Sequence, residues 1–194
     1  MKTIIIAEAG INHNGKIHLA KKLIQAAANS GADYIKFQTY KTENMIIPTA
    51  KLASYQKKNI GNSNTQYQML KKYELKKEAH KILIKYAARK RIKFLSSPFD
   101  DESLSFLKKL NLDFIKVPSG EIDNYPFLKK LGQLKKKIIL STGMSNLKEV
   151  SYAINILRKY GAKRKYISIL HCHTEYPSSP SNLNLNAICT LKNK

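Results

Sequence analysis

Charged and hydroxyl-bearing residues follow short apolar segments of this sequence at a recurring spacing. In FIKVPSGE, residues 114–121, Lys116 lies inside an apolar run, and Ser119 and Glu121 follow immediately. Ammonium and hydroxyl groups bind phosphate and carboxylate oxygens, whereas a carboxylate can move a proton or hold a cation. The stretch therefore suggests an anion-binding site with a carboxylate next to it.

Five other apolar segments end in the same way. Their polar residues are Glu8, Lys36 with Gln38, Ser96 with Ser97, Ser141 with Thr142, and the group His171, His173, Thr174, Glu175 and Tyr176. Taken alone, each residue could instead have an ordinary structural role. A lysine can reach water, a carboxylate can cap a helix, and hydroxyls occur in turns. The two histidines could bind a metal, but a pair without a third ligand is more often structural. The set as a whole is more specific than any member.

The elements that must position these residues are strands that alternate with helices. Strands are predicted at 3–9, 32–38, 92–97, 113–119, 136–142 and 166–172, with helix-period segments between them. This alternation predicts an α/β fold with a parallel sheet, whose strands are covered on both faces. If the strands form a barrel, their carboxyl ends meet at one mouth, where Lys36 and Lys116 would point inward. Gly31 is placed to end a helix, and Asp100 or Asp101 and Asn146 are candidate N-caps.

One connection is oversized. Residues 41–74, between the second and third predicted strands, are polar and tyrosine-rich. A long βα connection of this kind is usually either functional or disordered.

Composition narrows the class of protein. The net charge is +22, but the lysines are spread along the whole chain without an arginine-rich arm. We therefore expect a solvated basic surface that helps to attract an anionic substrate, and no nucleic-acid partner. No apolar run reaches the roughly 20 residues of a membrane span. We find no secretory signal, and so expect a cytoplasmic protein without membrane contact whose two cysteines are reduced.

Six motifs in order resemble those of a known family. They are IAEAGINHNG, GADYIKFQT, FLSSPFD, KVPSGEIDNYP, LSTGM and LHCHTEYP. Together, over residues 3–194, they resemble the sialic acid synthase family, which includes N-acetylneuraminate and N,N′-diacetyllegionaminate synthases. TAKLASYQ and YQMLKKYEL are most similar to the legionaminate branch. The resemblance implies a (β/α)8 TIM-type barrel, here incomplete with about six βα units.

The resemblance also implies an activity. Phosphoenolpyruvate would condense with a 2-acetamido mannose-type sugar to give a nonulosonic acid and phosphate. Its enol carbon attacks the sugar aldehyde, which a divalent cation (Mn²⁺ or Mg²⁺) polarises. Water then adds to the oxocarbenium carbon, and phosphate leaves by C–O cleavage. A homodimer is implied as well.

Residue roles follow from the matched motifs. The positions that match phosphoenolpyruvate contacts are Lys36, Ser97, Lys116, Ser119, Ser141 and Thr174. Gln38 and Tyr176 match sugar contacts, Glu8 lies near the aldehyde and metal region, and Glu121 matches the carboxylate proposed to handle the water proton. Ser97 and Thr174 stand where many members have Thr and Asn, and His173 stands where Thr is common.

The sequence ends after the sixth predicted strand and the start of a helix. The resemblance implies two further strands carrying metal-binding histidines, and a C-terminal antifreeze-like domain. We therefore expect residues 1–194 to form a partial barrel that is not a competent synthase by itself, because its edge strands are unpaired. Two alternatives remain at this point: another barrel enzyme acting on phosphoenolpyruvate or a sugar phosphate, or an inactive binding or assembly piece.

Overall fold

The strands of this protein are parallel and form two three-stranded sheets. The computed structural model describes residues 3–52, 65–175 and 177–193. One sheet has the order β1-β2-β3 and the other β4-β5-β6. The strands are β1 (Ile6–Gly10), β2 (Tyr34–Thr39), β3 (Lys93–Pro98), β4 (Phe114–Val117), β5 (Lys137–Ser141) and β6 (Ile167–Leu170). The six predicted strands and the α/β class are confirmed, whereas closure into a barrel stays a prediction.

The strand ends differ slightly from the predicted ones because pairing, not apolar character, defines a strand. The largest difference is at the start of β1, where the predicted segment begins at residue 3 and pairing begins at Ile6. The preceding Ile4 and Ile5 are 52% and 53% exposed. They lie before the point where β2 begins to pair with β1.

Helices connect the strands as the apolar spacing predicts. In residues 3–52, 65–175 and 177–193 the α-helices are α1 (Ile17–Asn29), α2 (Thr42–Met45), α3 (Gln66–Tyr73), α4 (Lys77–Arg89), α5 (Asp101–Lys108), α6 (Tyr125–Gln133), α7 (Leu147–Lys159) and α8 (Ala187–Lys192). None of the helices in the described ranges is both long and apolar enough to cross a bilayer.

The predicted helix ends are confirmed. Asp100, rather than Asp101, is the N-cap of α5, and its carboxylate accepts a hydrogen bond from the Ser103 backbone N–H at 2.8 Å. Asn146 caps α7 in a capping box with Glu149. Gly31 follows α1 with a φ of 75°, a conformation that glycine adopts without a steric cost.

The chain divides into two compact units, Met1–Leu112 and Asp113–Lys194. In the first, helices α1 and α4 cover β1–β3, and the fully buried side chains include Ile24, Phe37 and Leu83. In the second, α6 packs on α7 beside β4–β6, with Leu128 and Leu140 fully buried. Each unit therefore has its own apolar core, which holds its strand ends in place.

The oversized connection 41–74 is partly helical, which corrects its reading as one long loop. Its described residues include α2 and α3. Tyr40, Leu52, Met69 and Leu70 form a small buried cluster there. A capping box at Thr65 starts α3, a local signal that the polar composition concealed. Residues 53–64 of this prediction lie outside the described residues.

Candidate functional site

The carboxyl ends of β1, β2 and β3 bring four predicted site residues together. We call Glu8, Lys36, Gln38 and Ser97 the β1–β3 cluster. Lys36 Nζ lies 2.7 Å from Glu8 Oε2 and 3.4 Å from Ser97 Oγ. Lys36 is 9% exposed and Ser97 is 1% exposed. The predicted inward direction of Lys36 therefore agrees with its burial inside this unit.

Strand register produces this cluster. Glu8 pairs with Lys36, and Gln38 pairs with Ser97 in the parallel ladder. The register shifts between Glu8 and Gly10, which marks a bulge. Gly10 has a φ of 52°, and a Cβ built there would lie 3.5 Å from Glu8 Oε1 and 3.9 Å from Gln38 Nε2. Bulges often redirect side chains next to active sites, and this one separates Glu8 from the turn that follows it.

The β1–β3 cluster can offer one hydrogen-bond donor to an anion, while its Lys36–Glu8 ion pair is neutral overall. A buried ammonium is costly unless it is paired, and the Glu8 carboxylate supplies the pairing. An ammonium has three N–H donors, of which Glu8 and Ser97 take two. The Glu8 side chain is 48% exposed, so the pair is open to solvent on one side. The third donor of Lys36 can therefore be offered to an oxygen of a bound anion.

The ends of β4, β5 and β6 form a second group, which we call the β4–β6 cluster: Lys116, Ser119, Ser141, Cys172 and Thr174. Lys116 Nζ donates to Ser141 Oγ, and also to the Val117 carbonyl at 3.3 Å. Cys172 Sγ donates to Ser141 Oγ at 3.1 Å. The predicted residues Lys116 and Ser141 are thus in direct contact.

Gly143 draws the rest of the β4–β6 cluster together. Its backbone N–H donates to Ser119 Oγ at 3.0 Å. A Cβ on Gly143 would lie 2.7 Å from Thr174 Cγ2, 2.9 Å from Ser119 Oγ and 3.3 Å from the Cys172 carbonyl oxygen. Such distances leave no room for a side chain at position 143. The absence of one allows the residues after β4 and β6 to come close to the turn after β5. Sequence reasoning missed both Gly143 and Cys172, although a glycine at a strand can mark a site where another part of the chain approaches closely.

Glu121 lies in the 3₁₀ turn Ser119–Glu121, which follows β4 directly. Its carboxylate accepts a hydrogen bond from Asn124 Nδ2 at 2.6 Å. The Asn124 side-chain oxygen in turn caps α6 by accepting from the Phe127 backbone N–H. Glu121 is half-buried and is held relative to the start of this helix. Its role as a base stays a prediction.

Comparison with known proteins decides the family. The NeuB family model matches residues 23–194. This chain belongs to the NeuB family. A Campylobacter jejuni protein named N,N′-diacetyllegionaminic acid synthase is 56% identical over 191 residues, which cover 98% of this chain and 57% of that protein. A Legionella pneumophila protein of the same name is 45% identical, with 98% and 54% of the two chains covered.

A solved structure agrees with the NeuB assignment. The crystal structure of the N-acetylneuraminic acid synthetase from Leptospira borgpetersenii, in complex with citrate, is 30% identical. The structural match covers 98% of this NeuB chain and 62% of the Leptospira chain, with a TM-score of 0.82. The chain thus spans little more than half the length of the two curated relatives above.

The two histidines of the last strand end are used in local contacts of this NeuB chain. His171 Nε2 lies 2.6 Å from the Leu183 carbonyl oxygen, and His173 Nδ1 accepts from the Glu175 backbone N–H at 3.3 Å. In the described ranges, three or more His, Cys, Asp or Glu side chains do not come together in a way that could hold a metal ion. These residues therefore do not fit the divalent cation that the resemblance implies. Tyr176, the predicted sugar contact, lies outside the described residues.

Behind the β1–β3 cluster lies a chain of buried polar groups. Thr39 and Ser96 alternate with Gln38 and Ser97 along their strands, so they face the opposite side of the sheet. His80 Nδ1 donates to the Lys76 carbonyl at 3.0 Å, so Nε2 accepts from Thr39 Oγ1 at 2.7 Å. Thr39 Oγ1 then accepts from Ser96 Oγ, also at 2.7 Å. Burial lowers the pKa of His80 to about 4, so its ring is neutral near pH 7.

His13 is a second buried histidine of the same unit. Its Nδ1 accepts from the Gly15 backbone N–H at 3.0 Å, so Nε2 carries the hydrogen. Among the described residues Nε2 has no hydrogen-bond partner. The ring packs near Phe37, with centroids 5.9 Å apart, and burial lowers the pKa of His13. Both histidines were unremarked in the sequence because nothing local signals their burial.

Proposed function

We propose that this chain carries binding residues of a synthase that condenses phosphoenolpyruvate with a 2-acetamido mannose-type sugar. The observation that carries the proposal is the pair of lysines at strand ends, each in contact with a serine hydroxyl: Lys36 with Ser97, and Lys116 with Ser141. Two relatives are named N,N′-diacetyllegionaminic acid synthase, which favours a legionaminic acid as the product over a sialic acid.

Each lysine cluster offers donors to an anion. Phosphoenolpyruvate has phosphate and carboxylate oxygens, which ammonium and hydroxyl groups bind by charge-assisted hydrogen bonds. In the β1–β3 cluster these donors are Lys36 and Ser97, and in the β4–β6 cluster they are Lys116, Ser119 and Ser141, with Thr174 alongside. In each cluster the lysine is already held in position, so little side-chain freedom is lost when an anion binds.

The proposed chemistry forms one C–C bond and replaces the C–O bond to phosphate with a C–O bond to the oxygen of water. The enol carbon attacks the sugar aldehyde carbon, and the aldehyde oxygen becomes a hydroxyl. Water then adds to the former enol ether carbon, and the phosphate leaves with its bridging oxygen. Glu121 accepts the proton of that water, and its hydrogen bond from Asn124 orients the carboxylate for this task.

The sugar would be bound by Gln38 and Tyr176, with Glu8 near the aldehyde. We propose that the connection 41–74 selects among sugars, because loops at the carboxyl ends of strands vary while the scaffold is retained. A Mn²⁺ or Mg²⁺ ion would polarise the aldehyde. Its ligands would not come from the β1–β3 or β4–β6 cluster. A homodimer is proposed for the assembled enzyme.

Calorimetric titration of phosphoenolpyruvate into the assembled enzyme, as wild type and as Lys116→Ala, tests the proposal. Loss of one charge-assisted contact should weaken binding by about 2–3 kcal/mol. Lys163→Ala is the matched control, because Lys163 is exposed in the same unit. Phosphate release should also require both phosphoenolpyruvate and a 2-acetamido sugar. Absence of binding by the wild type, or equal binding by the Lys116 variant, would contradict the proposal, and binding without turnover would favour a non-catalytic role.

A further inference from the structure

The hydroxyl of Ser141 receives two hydrogen bonds from side chains of its own unit. Lys116 Nζ donates to Ser141 Oγ from β4, and Cys172 Sγ donates to the same oxygen at 3.1 Å from the residues after β6. A serine hydroxyl has two acceptor lone pairs and one hydrogen. With both lone pairs occupied, the Ser141 hydrogen is left for a third group.

We propose that Cys172 is a positioning residue of the anion site, which makes Ser141 a hydrogen-bond donor to an oxygen of the bound substrate. This inference rests on the proposed function, since the substrate oxygen is one of phosphoenolpyruvate. Without the thiol, one lone pair of Ser141 is released, and its hydrogen can rotate away from the ligand. The ligand then loses a fixed donor, although neither Lys116 nor Ser141 has changed.

The hydroxyl of Ser119, in the same cluster, is also oriented to donate its hydrogen. The Gly143 backbone N–H donates to Ser119 Oγ at 3.0 Å, which also turns that hydroxyl toward donation. The carbonyl oxygen of Cys172 lies 3.3 Å from the position of a Cβ on Gly143, so residue 172 borders the turn that holds Ser119. The β4–β6 cluster thus presents hydroxyl hydrogens rather than lone pairs, as an anion requires.

The first experiment is titration of phosphoenolpyruvate into three variants at position 172. Cys172→Ala removes the donor and leaves space, Cys172→Val removes it with a branched apolar side chain that is somewhat larger than cysteine, and Cys172→Ser retains an O–H donor. We expect dissociation constants about three- to tenfold higher for Ala and Val, from the loss of one neutral hydrogen bond. The Ser variant should lie within about twofold of the wild type. Cys189→Ala, at the exposed second cysteine, should bind as the wild type does.

A double-mutant cycle with Ser141→Ala separates positioning from packing. If Cys172 acts through Ser141, then adding Cys172→Ala to Ser141→Ala should weaken binding no further. An equal loss in both backgrounds would overturn the inference, as would wild-type affinity in the Ala and Val variants, or failure of Ser to restore binding. A wild type that does not bind phosphoenolpyruvate would instead overturn the proposed function.

Discussion

Gly143→Ala should reduce both stability and ligand binding, because residue 143 has no room for a methyl group. The added Cβ would lie 2.7 Å from Thr174 Cγ2 and 2.9 Å from Ser119 Oγ, where ordinary contact begins near 3.4 Å. These two atoms belong to side chains, so they can move, but each belongs to a predicted substrate contact. A third close atom, the Cys172 carbonyl oxygen at 3.3 Å, is backbone. The strain therefore falls directly on the β4–β6 cluster.

The size of the effect follows from two opposing contributions. Overpacking of a tight site costs about 1–3 kcal/mol of the free energy of unfolding. Replacing glycine where φ is compatible restores about 0.4–1 kcal/mol by restricting the unfolded chain. Gly143 does not have a positive φ, so both contributions apply. We expect a net loss of about 1–2 kcal/mol by urea unfolding, together with weaker binding of phosphoenolpyruvate by calorimetry.

Gly120→Ala is the matched control. Gly120 lies beside Ser119 and also lacks a positive φ, but a Cβ there meets no atom within 4 Å. The control should keep or slightly raise stability, so the difference between the two variants isolates the overpacking contribution. If Gly143→Ala is as stable as Gly120→Ala and binds the ligand equally well, the inferred close approach of Ser119 and Thr174 is wrong.

Three further variants test the site and the core. The free energy of unfolding should fall by up to about 3 kcal/mol as pH drops from 6.5 toward 4. In this range His80 takes up a proton in the unfolded chain but not in the folded one, where burial lowers its pKa to about 4. His80→Gln should flatten this slope in pH-dependent urea unfolding, and His18→Gln, at an exposed site, should not. Lys36→Met should weaken calorimetric binding of phosphoenolpyruvate by about 2–3 kcal/mol, and exposed Lys22→Met should leave it unchanged. In the assembled enzyme, Glu121→Gln should lower turnover about 10²–10⁴-fold with little change in KM; near-normal steady-state rates would exclude Glu121 as the base.

The sequence alone determined the described strands, the helices that connect most of them, and the residues that could bind an anion, but it did not reveal the helices inside the connection 41–74. Apolar runs rich in β-branched residues, separated by amphipathic segments, identified the six strands found in the described part of the chain. Local chemistry marked helix starts, since the Asn146 side chain needs only the backbone N–H groups of the next turn. Such features depend on neighbours a few residues away, so they can be read directly from the chain.

Contacts between distant residues were decided only by the tertiary structure. The pairing of Lys36 with Glu8 depends on strand register, and the role of Gly143 depends on Thr174, which follows it in the sequence only after α7 and β6. The burial of His80 likewise depends on packing of α4 against the sheet. A sequence shows that a lysine or glycine follows a strand, but packing determines which atoms surround it, and those atoms set its charge partner, its pKa and the space it may occupy.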